Sequence, residues 1–186
     1  MWKKLGELVE IRPGYHFRSR IENDPEGNLV VVQAKDLSET LEIESSFRIP
    51  MQDSIPKHYF LRENDVLLIN RGDRNRAALA RSFTIPMICS STLYVLRVIA
   101  PKLLPAYLVT FINLPTTQSA LRSATTGPAT PLLNRDRLND LMIPLPDVQR
   151  QMVLVQVDSL LVRERQLSTQ LSTQRQLLLA GLINQA

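Results

Sequence analysis

Four arginines and one acid, Asp73, fall between positions 71 and 81 of this chain: Arg71, Arg74, Arg76 and Arg81. A guanidinium carries fixed, planar donors that match a phosphate or the acceptor edge of guanine. Clustered arginines without balancing acids therefore point to a polyanionic partner. Arg71, Arg74 and Arg76 sit in a polar loop, and Gly72 permits a tight backbone there. Asp73 suits either acceptance from a cytosine amino group or the holding of its neighbouring arginines. A second basic run interleaves aromatics: Tyr15-His16-Phe17-Arg18-Ser19-Arg20. Lys35, just after an apolar run, is expected to join it. Arg135 and Arg137 are weaker members of the same set. Each arginine is equally compatible with a solvated surface ion pair of small energetic worth. Tyr15 and Phe17 are more often core or loop anchors than base stackers.

Other chemistry is thinly provided for. His16 and His58 are the only histidines and Cys89 is the only cysteine, so neither a His/Cys metal site nor an intramolecular disulfide is expected. No Gly-x-Ser-x-Gly elbow, P-loop or dinucleotide fingerprint occurs, and no cofactor is expected. Gln33-Ala34-Lys35 after a strand faintly resembles a nuclease pattern, but lacks a well-placed partner acid. Asp65 reads better as the start of a strand. The chain is therefore expected to be non-catalytic.

The elements that position these residues fall into two grammars. Positions 1–146 are punctuated by Pro and Gly and have short periods. From Asp147 to Ala180 there is no Gly or Pro. That stretch predicts one helix of about 50 Å at 1.5 Å per residue. Ile143-Pro144-Leu145-Pro146 enforces an extended entry, and Asp147 is placed to cap the helix. In the first region Leu29–Gln33 and Asp65–Asn70 read as strands, with Ala77–Phe83 and Ser91–Ile99 as two more. Leu5–Ile11 reads as a short helix or a strand end. Pro105–Leu114 predicts a helix with Tyr107, Leu108, Phe111 and Ile112 inward; Pro115 breaks it and Thr116–Ala124 restarts it. Asn134 predicts the cap of a short helix through Leu138. The mixture is α+β, a mixed-sheet domain with small helices followed by a long C-terminal helix of coiled-coil pattern.

Within the long helix, Val157, Glu164, Leu171 and Leu178 occupy heptad position a, and Leu160, Leu167, Gln174 and Gly181 position d. Leu161 and Leu182 widen the stripe. Polar Glu164 and Gln174 on the seam would fix register and partner number at a cost in stability. A helix folded back on its own domain is the plainer alternative, but average globular helices are only about a third as long.

The net charge of +4 and pI of about 9.5 agree with a polyanionic partner without requiring one. A hydrophobic share of 44% excludes a disordered chain. The charged N-terminus and the lack of an apolar run of about 20 residues lead to the expectation of a cytoplasmic protein.

The order of pieces carries a resemblance: Leu8-Val9-Glu10-Ile11 before Gly14; Glu63-Asn64-Asp65-Val66-Leu67-Leu68 before a polar Gly loop; Pro105-Ala106-Tyr107-Leu108; Gly127; Leu138-Asn139-Asp140-Leu141-Met142-Ile143-Pro144-Leu145-Pro146; Gln151; then the long helix. Over nearly its whole length the chain resembles the specificity subunits of type I restriction-modification systems. Such subunits usually carry two target-recognition domains, each followed by a helical region, and the two helices pack antiparallel as a ruler. The resemblance implies a half-subunit, with a DNA-reading domain at 1–146 and a helical region at 147–186 that serves dimerisation and methyltransferase docking. It implies a homodimer on double-stranded DNA that directs an adenine methyltransferase, and leaves open whether an endonuclease subunit joins. Arg150 replaces the usual acid before Gln151, and Pro128 replaces a Ser after Gly127. A coiled-coil adaptor that touches no DNA, and more remotely a stand-alone nuclease, are the competing readings.

Overall fold

The computed structural model describes residues 1–37, 46–72, 74–123, 125–126 and 131–183. Asp73 and the segment 127–130 lie outside these. The strands, in chain order, are β1 (Trp2–Lys4), β2 (Val9–Pro13), β3 (Leu29–Val32), β4 (Phe47–Ile49), β5 (Val66–Ile69) and β6 (Ala77–Leu79). They continue with β7 (Met87–Cys89), β8 (Leu93–Val98), β9 (Thr125–Thr126), β10 (Leu132–Leu133) and β11 (Met142–Pro144).

β3 and β5 are buried at every residue, as continuous apolar runs require. β5 is an inner strand of an antiparallel sheet ordered β2-β8-β5-β6. β3 is the centre of a second sheet, antiparallel to β4 and parallel to β7. The period of two along each strand builds a layered core. Val66 and Leu68 of β5 face a cluster with Leu108, Ile112, Leu121 and Leu138. Leu67 and Ile69 face Val30, Val32, Met87 and Cys89 of the second sheet. Leu29 and Val31 pack outward under Tyr15, Phe17, Tyr59 and Phe60. Together with a long C-terminal helix, this is the α+β, mixed-sheet architecture expected from the sequence.

At the start of β5, Asp65 is buried and receives Arg97 Nε at 2.8 Å and Nη2 at 2.6 Å. Two strand expectations need adjustment. Leu5–Ile11 is divided, with a single 3-10 turn at Leu5–Glu7 before β2 begins at Val9. Ala77–Phe83 gives only the short β6, because its partner β5 starts at Val66 and the chain before it turns away through Asn64, whose φ is +67°. Asn is among the few residues that accept that conformation.

The helices are α1 (Pro105–Asn113), α2 (Pro115–Ser123), α3 (Arg135–Asn139) and α4 (Val148–Ile183). Proline opens α1, and Tyr107, Leu108, Phe111 and Ile112 are its buried face. Asn134 caps α3 by accepting the amides of Asp136 and Arg137. Asp147 accepts the amide of Arg150 at 2.8 Å and so caps α4. α4 has 36 residues, a length of about 54 Å.

The inner half of α4 lies against α1. Gln151 is fully buried, Val155 packs on the core, and Asp158 accepts the Thr110 hydroxyl at 2.8 Å. That stripe lies about 150° around the helix from the a/d seam, at 100° per residue. The apolar members of the seam that lie beside the domain, Val157 and Leu160, therefore point away from it, 48% and 69% exposed. From Leu167 to Ile183 every residue is exposed. The helix is thus docked on its own domain for its first turns only. No helix among the described residues is long and apolar enough to cross a membrane.

Candidate nucleic-acid interface

The second basic run and Lys35 are brought together by the second sheet. Gly14 passes so close to the Cys89–Ser90 backbone that a Cβ there would overlap the Ser90 carbonyl oxygen. The Tyr15 amide donates to the Cys89 carbonyl at 2.8 Å. Parallel pairing of β3 with β7 lays Gln33–Lys35 beside Ser90. His16, Arg20, Gln33, Lys35, Ser91 and Thr92 consequently share the walls of a hollow of about 400 Å³.

Lys35 stands on a short turn closed by reciprocal bonds between Gln33 and Asp36. Its ammonium lies 4.0 Å from the centre of the Phe47 ring and 3.3 Å from an Asp36 oxygen. Gln33 Nε2 is buried without a hydrogen-bond partner. Arg18 is exposed on the same loop as His16 and Arg20. The Tyr15 ring meets Phe17 and Tyr59 edge-on, at 4.9 and 5.1 Å between centroids, and its place is that of an anchor beneath the loop.

Arg71 joins this side of the molecule through its neighbour. The Asn70 amide donates to Thr92 O and its side chain to Ser91 O, both at 3.0 Å. Arg71 itself bridges to Leu132, and the Gly72 amide bonds Pro131 O. Gly72 has φ +96°, the conformation its lack of a Cβ allows. Burial raises the pKa of the Tyr94 hydroxyl, while Arg135 and Arg71 pull it back. Both cations therefore lie within electrostatic reach of Tyr94, whose hydroxyl donates to Leu133 O.

The arginines of positions 71–76 do not form one cluster. Asn75 is fully buried and donates to Ile69 O at 2.9 Å, which divides the loop. Beyond it, Gln118 donates to Asn75 O, and Asn113 exchanges two bonds of 2.9 Å with the Ala77 backbone. Arg74 and Arg76 are thereby carried to α1 and α2, where they line a groove with Arg122 and Arg165. Arg137 is likewise turned toward α2, donating to Ser123 O at 3.3 Å.

Ser91, Thr92 and Gln33 on the hollow, and Arg122 and Arg165 on the groove, were not singled out by the sequence. Their only local signal is charge or polarity, at a strand or helix end for all but Arg165, which lies in the middle of α4. Among the described residues no group of three or more His, Cys, Asp or Glu stands together to hold a metal.

A family model described as the type I restriction modification DNA specificity domain matches residues 1–173. No curated protein sequence matches the chain. Among solved structures, the S subunit of a type I restriction-modification system from M. genitalium superposes with a TM-score of 0.59 at 14% identity, over 86% of this chain and 38% of that one. The HsdS subunit from Thermoanaerobacter tengcongensis gives 0.59 at 21% identity, over 88% and 37%. A chain from work on complex assembly and conformational transition of the type I R-M system gives 0.61 at 20%, over 88% and 38%. The present chain thus spans less than two-fifths of the length of these chains.

Proposed function

Because the chain belongs to the type I restriction-modification DNA specificity family, we propose that it reads one half of a bipartite DNA site and, as a pair of copies, directs a partner adenine methyltransferase. The chemistry then belongs to that partner, and this chain contributes recognition and spacing. The span matched in the longer relatives fits one recognition domain with one helical arm. On this reading residues 1–146 recognise DNA and 147–186 pair the copies and dock the methyltransferase.

The observation that carries the reading is the convergence of two separate loops on the Ser90–Thr92 edge, one with His16 and Arg20 and one with Lys35, with Asn70, the neighbour of Arg71, bonded to the same edge. Base readout needs donors and acceptors held at fixed positions, with cations beside them for the phosphates. The hollow supplies both, with the unpartnered Gln33 amide among its donors. The exposed seam Val157, Leu160, Leu167, Leu171 and Leu178 supports pairing, since it faces away from the chain's own core.

The test is a map of adenine methylation in the source organism, with the wild-type gene, without it, and with Lys35→Ala plus Arg71→Ala. A near-palindromic bipartite motif should depend on the gene, because two identical domains read two identical half-sites. The double variant should lose or relax that motif. An unchanged motif in the variant would remove these residues from readout. No change on deleting the gene would remove the function.

A further inference from the structure

We propose that the groove between the arginine loop, α1–α2 and α4 grips the sugar–phosphate backbone of duplex DNA, separately from the face that reads bases. The proposal rests on the DNA-binding reading above and adds a second contact surface to it.

Arg74, Arg76, Arg122 and Arg165 line this groove of about 510 Å³. Asp158 is the only acid among its described lining residues, and its carboxylate already accepts the Thr110 hydroxyl. The positive excess is therefore local, contributed by three elements distant in sequence. The loop bearing Arg74 and Arg76 is bolted down through Asn113 and Gln118, so its cations are held against the helices.

The same bonds decide what the groove can recognise. Its two side-chain amides are Asn113 and Gln118. Asn113 is committed to Ala77 through both of its polar atoms, and Gln118 Nε2 to Asn75 O and Ile112 O. Neither is available in the bidentate pairing with adenine that Asn or Gln side chains make. Beside the apolar Val109, Leu114, Leu161 and Val162, the groove offers a ligand the guanidinium charge of the exposed Arg74 and Arg122, which suits phosphates and is blind to sequence. Duplex DNA offers one such charge per about 1.7 Å of axis, so spaced arginines meet it without a unique docking pose. An acidic protein fits less well, because no aromatic side chain stands among the described lining residues to anchor an interface. The groove lies where the domain meets the arm.

The experiment uses the full-length chain and two labelled duplexes of mixed but different sequence, followed by fluorescence anisotropy across a salt series. Arg74→Gln with Arg122→Gln should weaken binding to both duplexes equally, about tenfold at low salt. It should also lower the slope of log affinity against log salt by about 2, one counterion set per cation removed. Arg74→Lys with Arg122→Lys should restore the slope. Both positions are exposed, so the thermal transition should not move. An unchanged slope in the Gln variant, with wild-type binding intact, overturns the groove proposal alone. Unequal weakening of the two duplexes overturns it in favour of base reading. Retained DNA binding with lost methyltransferase assembly overturns it in favour of a protein partner. If the wild-type chain binds neither duplex at low salt, the DNA-binding reading falls and takes the groove with it.

Discussion

Gln151 on the arm accepts the amide of Leu104 at 2.9 Å, at the residue that precedes α1. Its Nε2 donates to Lys102 O at 2.8 Å and to Pro146 O at 2.9 Å. One acceptor and two donors are met by three partners, a pattern only a carboxamide can satisfy here. Glutamate at 151 would lose both donors and bury a charge; alanine would leave three backbone groups orphaned. Each change should lower the unfolding free energy by about 2–4 kcal/mol, read from urea unfolding of the full chain. A Gln151→Glu protein with the wild-type midpoint would show that this junction does not hold the arm.

Gln151 also illustrates what was legible in the sequence. In the sequence it is one piece of a familiar order, but its spacing gives no hint that it reaches Lys102 and Leu104. Local signals fared best. Asn134 and Asp147 cap the helices they precede, and the four inward residues of α1 follow from periodicity alone. The grouping of cations was not legible. Arg71 and Arg74 are three residues apart, yet the buried Asn75 and the Gln118 bond send them to different surfaces. His16 and Lys35 are nineteen apart, yet the β3–β7 pairing and the Tyr15–Ser90 bridge seat them on one hollow. Sheet pairing between distant segments leaves no local trace in spacing. Arg122 and Arg165 carry no distinguishing signal for the same reason: each looks like an ordinary helix-surface cation until its neighbours are known.

The Asp65–Arg97 pair makes a second prediction. Asp65 is 1% exposed and Arg97 15%, and the two bonds form a fork. Removing the arginine leaves a carboxylate with only the Arg62 amide and a buried site around it. Arg97→Ala should therefore cost about 3 kcal/mol, at the lower end for a broken buried pair because the arginine is partly wet. Arg97→Lys should recover only part of this, since an ammonium cannot span both oxygens. Chemical denaturation of the two variants checks the order, and equal stability of Arg97→Ala and wild type would refute it.

Burial pushes the Cys89 thiol from 9.0 up to about 12. The folded value lies above the unfolded one, so the fold favours the protonated thiol. Its contribution is intact below about pH 9 and is lost as pH rises toward 12, at about 1.4 kcal/mol per unit. Other groups also titrate in this range, so the informative quantity is a difference. Cys89→Ala should start less stable than wild type and close the gap steadily above about pH 9. Parallel stability curves for the two proteins across that window would contradict the shift. At neutral pH the native thiol should resist alkylation, because it is both buried and un-ionised.

The arm supplies the last prediction. If two copies pair antiparallel with full overlap of α4, every a residue meets a d residue of the other copy. Leu160 then faces Leu171, Val157 faces Gln174, Glu164 faces Leu167 and Val153 faces Leu178. A parallel in-register pair would instead set Leu160 against Leu160. Cysteines bridge only when their Cα atoms come within about 7 Å, so a crosslink distinguishes the two arrangements. Leu160→Cys with Leu171→Cys should give a covalent dimer under mild oxidation, while Leu160→Cys alone should stay largely uncrosslinked. The native Cys89 is buried and does not compete. Efficient crosslinking of the single variant would mean parallel pairing. Absence of crosslinks in both proteins, together with a monomeric mass by light scattering, would mean that the exposed seam pairs with something other than a second copy.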